Sequence, residues 1–299
     1  MVKHFISGVT GTLGRAVCDK LLQDPGVEVI GYSRDELKQS QIPKHPRLTL
    51  YLGDVRNRER LIEATRGVSV LFHFAALKRV DSMEENPEEC IFTNVDGTMN
   101  ILGAQRTNKI KRVVLSSTDK AAHPETVYGA CKFLSERLVL RNQSNIVCRY
   151  GNVLASRGSV VHSFVKSLLD ERTINITHPE MTRFFLTIEQ AASFVIQSAH
   201  DVDGGLKIPK LKACNILDMA QVIARLLGVD NPKVNVVGIR GIEKLHECLR
   251  TPCEGQLAYS DTSPQFTREE LVHLVKPVVD SIVRARRPAL RAVPNEVTA

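Results

Sequence analysis

Short apolar runs alternate with amphipathic segments along the first half of the chain. The apolar runs are typical of buried strands, whereas apolar residues three and four positions apart are typical of helices. The pattern predicts strands at 2–7, 27–32, 47–52, 69–74, 111–116 and 145–150, and helices at 12–23, 57–66, 88–106 and 126–141. Such alternation indicates βαβ units, whose right-handed connections produce a mostly parallel sheet with helices on both faces. We therefore expect an α/β fold with a doubly wound parallel sheet that binds ligands beyond the carboxyl ends of its strands.

The pattern becomes less regular after about residue 151. It predicts helices near 160–170, 188–200 and 215–227, and short strands near 174–177 and 205–208. This favours a main domain at 1–155 and a mixed region at 156–284. The mixed region is expected to form mainly a smaller, discontinuous cap, with segments that return to the sheet. A flexible basic tail is expected at 285–299.

The chain has 299 residues, of which 43% are hydrophobic, and this suffices for a large buried core. No apolar run approaches the roughly 20 residues that span a bilayer. The first residues, MVKHFISGVTG, enter a strand-like segment without a signal-peptide pattern. We therefore expect a soluble, cytoplasmic protein that does not bind membranes.

Cysteine usage and charge narrow the classes of ligand. The seven cysteines form no CxxC pair and lie mostly in apolar stretches, which favours reduced, buried thiols and no metal site. The formal net charge of +7 suits anionic ligands such as nucleotides, although part of it lies in arginines near the C-terminus. The chain has 5% aromatic residues, no Trp and no recognisable nucleic-acid-binding module. We therefore expect no nucleic-acid partner.

A glycine-rich turn follows the first predicted strand and leads directly into a helical segment. Glycines permit a tight turn and a close approach to a pyrophosphate, which then lies at the positive end of the helix. Ordinary turns also collect glycine, but the first strand-to-helix junction is the typical place for a dinucleotide site. The residues assigned to it are Gly8, Thr10, Gly11, Thr12, Leu13 and Gly14.

The end of the second predicted strand bears on the choice of dinucleotide. An NAD enzyme usually places an acidic residue there to bind the ribose 2′-hydroxyl, but Ser33 and Arg34 come first in this chain. A guanidinium forms a fork with a 2′-phosphate, which favours NADP. Asp35 and Lys38 follow and keep NAD as the alternative. Ser33 is also a candidate cap for a helix beginning at Arg34.

Further cofactor contacts are expected at the ends of the third and fourth predicted strands. Small or polar residues there allow the backbone to pass close to a bound dinucleotide, although packing against a helix explains each of them equally well. The residues assigned are Asp54, Val55, Ala75, Ala76 and Lys78, together with Asn94 from the predicted helix 88–106.

Candidate catalytic residues lie after the fifth predicted strand. Tyr128 and Lys132 form a YxxxK pair whose spacing places both side chains on one helix face. A nearby ammonium lowers the pKa of a phenol from about 10, so that Tyr128 can act as a general base on a substrate hydroxyl. The alternative is a surface Tyr/Lys pair without function.

With these motifs in order, the chain resembles the extended short-chain dehydrogenases/reductases. Within them it is similar to the polysaccharide-biosynthesis dehydratases, and in particular to the inverting UDP-N-acetylglucosamine 4,6-dehydratases of pseudaminic acid synthesis. The resemblance spans roughly residues 4–250. Its most specific segments are YSRDELKQS (32–40), GDVR (53–56), AALK (75–78), STDKA (117–121), YGACK (128–132), RYGNV (149–153), SRGSV (156–160), MTRFF (181–185) and EKLHE (243–247).

The resemblance implies a Rossmann-like NADP-binding domain, a nucleotide-sugar-binding cap and specific catalytic roles. Tyr128 would remove the proton of the sugar 4-hydroxyl, with Lys132 holding the cofactor ribose, and Thr118 would hydrogen-bond the 4-oxygen. Lys120 would take the C5 proton, and Asp119 would protonate the departing 6-hydroxyl. From the residues alone, Asp119 and Lys120 could equally form an exposed ion pair at a strand end.

The resemblance also implies residues that contact the nucleotide sugar. These are Lys78, Asn152, Arg157, Ser159, Arg183, His246 and Glu247. The chain departs from the family pattern in two places near the expected sugar pocket, because Gly241-Ile242 stands where proline-glycine is usual and His162 where proline is usual. These departures bear on the identity of the sugar and its nucleotide base, and the part after Thr251 matches poorly.

Three other functions stay open from the sequence. A retaining 4,6-dehydratase differs only in how C5 is reprotonated, and a UDP-hexose 4-epimerase uses the same Tyr/Lys pair with NAD. An NADP-binding sensor or scaffold without catalysis would have no use for the intact YxxxK pair. The family resemblance further implies a homo-oligomer.

Overall fold

The structure is a computed structural model that describes residues 1–154, 159–239, 241 and 243–290. The strands are β1 (Val2–Ser7), β2 (Val27–Ser33), β3 (Leu48–Leu52), β4 (Val70–His73), β5 (Arg112–Thr118), β6 (Ile146–Tyr150), β7 (Asn152–Val153), β8 (Thr173–Ile176), β9 (Thr182–Leu186), β10 (Gly205–Lys207), β11 (Ala213–Asn215), β12 (Lys233–Val236), β13 (Cys248–Arg250) and β14 (Ala258–Tyr259). The helices are α1 (Thr12–Leu21), α2 (Glu36–Ser40), α3 (Arg58–Ala64), α4 (Val80–Glu85), α5 (Pro87–Cys90), α6 (Gly97–Asn108), α7 (Val127–Val139), α8 (Val160–Glu171), α9 (Ile188–His200), α10 (Ile216–Leu226) and α11 (Arg268–Leu290).

The chain forms two compact units. The first comprises Met1–Gly151, Ile188–Leu211 and Glu247–Tyr259. The second comprises Asn152–Thr187, Lys212–His246 and Ser260–Ala299. Each unit therefore contains segments that are far apart in the sequence.

The first unit is built on a seven-stranded parallel sheet with the order β10-β6-β5-β4-β1-β2-β3. Its strands are rich in buried Val, Ile, Leu and Phe, as expected of a sheet covered on both faces. α1 packs against α9, whereas α6 packs against both α3 and α7. The strand order reverses between β1 and β4, which is where ligands bind in sheets of this type. This architecture confirms the predicted α/β fold with a doubly wound parallel sheet.

The second unit has its own apolar core, formed largely by α8, α10 and α11. The three-stranded sheet β11-β9-β7 and the two-stranded sheet β12-β8 complete it. The pattern analysis did not predict α11, whose interior contains Pro277, a residue that argues against a helix. Leu271, Val275 and Val279 nevertheless recur at helical spacing and are buried.

Two predicted boundaries differ from the structure. The helix predicted at 88–106 consists of α5, a π-helical segment (Ile91–Asp96) and α6. Asn94 and Thr93 are buried within the π-helical segment, and such segments are rare and hard to infer from spacing. Residues 285–290, which the sequence analysis placed in a flexible tail, belong to α11, and Arg286 forms an ion pair with Asp170 at 3.0 Å. Residues 291–299 lie outside the described part.

Candidate active site

The glycine turn joins β1 to α1 with close backbone packing. Gly8 has a φ of +75°, a conformation that favours glycine, and its N–H donates to the Tyr32 carbonyl at 2.7 Å. A Cβ on Gly14 would lie 2.2 Å from the Gly8 oxygen, so only glycine fits there. Gly11 caps α1 without a side chain that could accept the first N–H groups of the helix. These groups and the positive helix end suit an anionic phosphate.

The segment after β4 lies directly against this turn. A Cβ on Gly8 would be 2.8 Å from the Ala75 nitrogen. Asn94 fixes the same segment, because its Oδ1 accepts from Leu77 N at 2.8 Å while its Nδ2 donates to Leu77 O and Cys90 Sγ. Asn94, assigned to the cofactor from sequence, therefore has its amide hydrogens engaged within the protein and holds the loop beside the glycine turn. Lys78, three residues after Ala75, is exposed.

The residues after β2 have different partners from those expected. Asp35, and not Ser33, caps the following helix, because its Oδ1 accepts from Lys38 N at 2.8 Å and its carboxylate also pairs with Lys38 Nζ. Ser33 Oγ accepts from Gln39 Nε2 at 2.8 Å. Arg34 is about half exposed and lies 3.4 Å from Asp54 Oδ2. The Asp35 carboxylate is thus bound to α2, whereas the Arg34 guanidinium stays about half exposed at the surface.

Asp54, which follows β3, forms ion pairs with two guanidinium groups. Arg56 donates to Asp54 Oδ2 at 2.8 and 2.9 Å, and Arg34 approaches the same oxygen. Partial burial acts to raise the pKa of Asp54, but the hydrogen bonds from Arg56 outweigh it and hold this pKa below its ordinary value. The neighbouring Val55 is buried against Gly97. Asp54 is therefore an anion that orients Arg34 at the end of the second and third strands.

Thr118 is the last residue of β5, and Asp119 and Lys120 lie in the short 3-10 turn that follows it (Asp119–Ala121). Thr118 Oγ1 donates to Asp119 Oδ1 at 3.0 Å. Lys120 Nζ lies 3.0 Å from Asp119 Oδ1 and 2.9 Å from Glu247 Oε1. Asp119 is fully buried, and the exposed ion pair considered from the sequence is therefore excluded.

The surroundings of Asp119 favour its protonated form. Burial raises the pKa of this carboxyl, and the neighbouring charge of Glu247 acts in the same direction, against the opposing effect of Lys120. Its Oδ2 has no hydrogen-bond partner among the described residues. A buried carboxyl with one free oxygen is suited to donate a proton to a ligand.

The first turn of α7 brings Tyr128 to the same place. Thr126 caps this helix by accepting from Gly129 N at 3.0 Å. A Cβ on Gly129 would lie 2.6 Å from the Lys120 carbonyl oxygen, so the glycine allows the helix to pack on the 3-10 turn. Tyr128 hydrogen-bonds the Thr118 hydroxyl. The structure thus brings together Thr118, Asp119, Lys120 and Tyr128.

The charge that acts on Tyr128 differs from the one inferred from the YxxxK spacing. Burial raises the pKa of Tyr128 to about 12, and the ammonium that opposes this effect is that of Lys120. Lys132 is buried, and its Nζ donates to the Ser116 carbonyl at 2.6 Å. Burial lowers the pKa of Lys132 to about 8. Lys132 is therefore held one turn behind Tyr128, against β5.

A buried ionic network behind these residues escaped the sequence analysis. Arg149 on β6 donates to Glu136 on α7 at 2.6 and 3.0 Å, and to Glu254 at 2.7 and 2.8 Å. Ser117 Oγ donates to Glu136 Oε1 at 2.5 Å. Arg149 also donates to the Leu249 carbonyl at 3.1 Å. The network ties β5, α7 and β6 to the segment Glu247–Tyr259.

This network predicts a specific response to acid. Despite its partial burial, hydrogen bonds from Arg149 and Thr251 lower the pKa of Glu254 to about 2 from an ordinary 4.5. The folded state therefore favours the ionised form, a contribution that is present above pH 4.5 and is lost as the pH falls toward 2. Glu254→Gln should lower the free energy of unfolding at neutral pH. Below pH 4.5 this free energy should then fall less steeply with pH in the variant than in the wild type. Urea unfolding between pH 7 and pH 3 measures this, with Glu63→Gln in an exposed pair as the control. Parallel acid dependence of the wild type and Glu254→Gln would contradict the assignment.

The predicted substrate residues are distributed over both units. In the second unit, Arg183 is buried and donates to the Lys244 and Leu245 carbonyls at 2.7 and 3.0 Å, while His246 Nδ1 lies 2.8 Å from Thr182 Oγ1. Ser159 Oγ lies 3.0 Å from His162 Nδ1 at the start of α8.

Of the two remaining predicted substrate residues, Asn152 lies in the described part of the structure. Asn152 pairs with Phe185 between β7 and β9. Arg157 and Ile242 lie outside the described residues.

Among the described residues, no helix is both long and apolar enough to cross a membrane, and no His, Cys, Asp and Glu side chains group as metal ligands.

Known proteins with related sequences extend this picture. The profile of a family described as polysaccharide biosynthesis protein matches residues 4–266. The UDP-N-acetylglucosamine 4,6-dehydratase (inverting) of Campylobacter jejuni is 39% identical over 271 residues, which cover 85% of this chain and 79% of that protein. The UDP-glucose 4-epimerase of Rickettsia canadensis is 37% identical over 82% of this chain and 76% of its own length.

Solved structures agree with the sheet and its helices. Pen from Bacillus thuringiensis superimposes with a TM-score of 0.87 at 29% identity, covering 93% of this chain and 97% of its own. DesIV, a dTDP-glucose 4,6-dehydratase from Streptomyces venezuelae solved with NAD, gives a TM-score of 0.79 at 22% identity, covering 96% of this chain and 98% of its own. The second likeness concerns the fold alone. With the profile match covering most of its length, the chain belongs to the family of polysaccharide biosynthesis proteins.

Proposed function

We propose that this protein is a nucleotide-sugar 4,6-dehydratase that acts on UDP-N-acetylglucosamine, inverts C5 and keeps NADP bound through the reaction. The observation that carries the proposal is the ion pair between the buried Asp119 and the partly exposed Lys120, beside Tyr128. A base and an acid are needed to remove a proton from C5 and the hydroxyl from C6, and this pair supplies both. The inverting dehydratase from Campylobacter jejuni, at 39% identity, supports the same reaction.

The residues of the first unit fit a nicotinamide dinucleotide. The glycine turn and the free start of α1 suit its pyrophosphate, and Lys132 lies one helical turn from Tyr128, where it can hold a ribose. A nicotinamide held by these residues would supply the hydride acceptor for C4 and the hydride donor for C6, and its positive charge would favour the Tyr128 phenolate. NADP is preferred over NAD because Arg34 is exposed while the Asp35 carboxylate is engaged with α2.

The side chains of the site supply the acid and the bases for oxidation at C4 and for elimination of water. Tyr128 removes the proton of the 4-hydroxyl, with Thr118 hydrogen-bonded beside it. The resulting 4-keto group makes the C5 proton acidic, and the fraction of Lys120 that carries a neutral amine takes it. Asp119 gives its proton to the 6-hydroxyl, so that the C6–O bond breaks and water leaves. Return of the hydride to C6 and addition of a solvent-derived proton to C5, on the face opposite to Lys120, then complete a 4-keto-6-deoxy sugar with inverted C5, and the sequence is redox-neutral overall.

A UDP-hexose 4-epimerase is the second candidate because of the Rickettsia relative, at 37% identity. Epimerisation requires removal and return of hydride at C4 and breaks no bond at C5 or C6. The ion pair of Asp119 and Lys120 would then have no proton to transfer. The site therefore favours elimination over epimerisation.

The proposed activity is tested by incubating the purified protein with UDP-N-acetylglucosamine in deuterated water and analysing the sugar by NMR and mass spectrometry. A 4-keto-6-deoxy product with deuterium at C5 supports the dehydratase, and its C5 configuration distinguishes inversion from retention. A sugar epimerised at C4 with its 6-hydroxyl intact would replace this proposal by the epimerase. An unchanged sugar would contradict UDP-N-acetylglucosamine as the substrate.

The preference for NADP yields a separate prediction. Arg34→Ala should weaken NADP binding about 10-fold more than NAD binding, because it removes a charged hydrogen bond to the 2′-phosphate. Competitive titration of cofactor-free protein measures both affinities. Arg56→Ala is the matched control, because Arg56 contacts the same Asp54 carboxylate but does not follow β2. Equal losses for NADP and NAD in Arg34→Ala would contradict the assignment.

The exposed apolar side chains Met99, Phe133 and Leu134 on α6 and α7 support a homo-oligomer formed through helices of the first unit. We propose that this homo-oligomer acts on its nucleotide sugar in the cytoplasm.

A further inference from the structure

Glu247 lies inside the catalytic cluster of the first unit. Its side chain is 2% exposed, and its Oε1 lies 2.9 Å from Lys120 Nζ. Lys120 Nζ is also 3.0 Å from Asp119 Oδ1. The Lys120 amino group therefore lies between two buried carboxyl groups, and only that of Asp119 belongs to the 3-10 turn after β5.

The segment that carries Glu247 is firmly held. Glu247 immediately precedes β13, which pairs with β14 and packs against the 3-10 turn that contains Lys120. The next turn is closed by a capping box between Thr251 and Glu254. Arg149 on β6 donates to both Leu249 O and the Glu254 carboxylate, and these hydrogen bonds attach the segment Glu247–Tyr259 to β6. The Glu247 carboxylate is thus presented to Lys120 by rigid elements.

From this geometry we infer that Glu247 is a positioning residue for the elimination step, which holds Lys120 Nζ at the C5 proton of the substrate. The inference rests on the proposed dehydratase function. Lys120 has a long, flexible side chain, and its other partner, Asp119, must turn its proton toward the 6-hydroxyl during the reaction. A second anchor that takes no part in the chemistry keeps Nζ in place while Asp119 acts.

Glu247 also acts on Asp119 through its charge. The ionisable groups that face Asp119 are Lys120, Glu247 and Tyr128, and Glu247 is the nearby carboxylate among them. Its negative charge disfavours a second anion and so raises the pKa of Asp119, which favours the protonated form that the departing hydroxyl requires. Removal of this charge lets Asp119 ionise at lower pH.

The test separates two steps that share one active site. Stopped-flow absorbance of the reduced nicotinamide follows oxidation at C4, and deuterium at C5 together with 4-keto-6-deoxy product follows elimination. In Glu247→Ala we expect elimination to fall about 100-fold while oxidation at C4 and the KM stay near the wild-type values. Glu247→Gln retains an oxygen that accepts from Nζ, so it should recover most of the lost rate, with the decline of activity at high pH displaced to lower pH.

Several results would overturn the inference. Elimination by Glu247→Ala at the wild-type rate removes the positioning role. A raised KM with unchanged elimination identifies Glu247 instead as a substrate contact, the role expected from sequence resemblance. Retention of bound cofactor and C4 oxidation shows that the variants fold, and Glu63→Gln serves as the surface control. If the wild-type protein forms no 4-keto-6-deoxy sugar, the proposed function fails before the role of Glu247 is tested.

Discussion

Replacement of Lys120 by alanine is expected to lower formation of the 4-keto-6-deoxy sugar by about 10²- to 10⁴-fold, the range typical of a lost general base. The variant loses the amine that takes the C5 proton but keeps Tyr128 and the glycine turn. Bound cofactor should therefore be retained and become reduced when the sugar is added. Mass spectrometry of sugar recovered from deuterated water measures elimination directly, because an unreacted C5 keeps its hydrogen.

Lys111→Ala is the matched control for this variant. Lys111 is exposed just before β5, whereas Lys120 follows the same strand, and we expect its replacement to leave turnover unchanged. Normal product formation by Lys120→Ala would refute the role of Lys120 as the C5 base. Loss of C4 oxidation together with elimination would place Lys120 at the earlier step, where its charge acts on Tyr128.

Local patterns sufficed to predict the strands and the glycine turn of the first 150 residues. The six strands predicted between residues 2 and 150 are all present, because strands covered on both faces give uninterrupted apolar runs in the sequence. The glycine turn also followed from local rules, because Gly8 and Gly14 meet within one strand-to-helix junction. Such features depend on neighbours in the chain and are therefore readable from the sequence.

The partners of the candidate catalytic residues could not be predicted in the same way. Lys120 meets Glu247, and Arg149 meets Glu254, through contacts between segments that are far apart in the sequence. The spacing of Tyr128 and Lys132 indicated the correct helix face but not the charge acting on the phenol, because that charge belongs to Lys120 on another element. Burial decides these effects, and burial is a property of the folded chain.

The hydrogen bonds of Ser33 and Asn94 are also a property of the folded chain that local patterns do not give. A serine at the end of β2 satisfies the local rule for a helix cap, but α2 begins three residues later and takes Asp35 as its cap. Asn94 was predicted to contact the cofactor, and the structure shows that its amide also holds the backbone at Leu77. In both cases the hydrogen bonds are visible only in three dimensions, and the cofactor contact of Asn94 stays a prediction.

Replacement of Arg149 by methionine should destabilise the protein by about 3–5 kcal/mol, the cost typical of removing one partner from a buried ionic network. Arg149 is 1% exposed, and its loss leaves Glu136 buried without its counter-ion and Glu254 without the fork that binds it. Methionine fills a similar volume, so the effect reports the lost charge more than a cavity. Urea unfolding at pH 7 measures the change in the free energy of unfolding.

The control for this variant is Arg60→Met. Arg60 pairs with Glu63 on the exposed surface of α3, and such pairs contribute about 0–1 kcal/mol. A loss below 1 kcal/mol for Arg149→Met would mean that the network contributes no more than a surface pair. Because Arg149 anchors the segment that presents Glu247, elimination should also slow in the folded variant at low temperature while C4 oxidation persists. Stability lost without any change in elimination would separate the network from the positioning of Lys120.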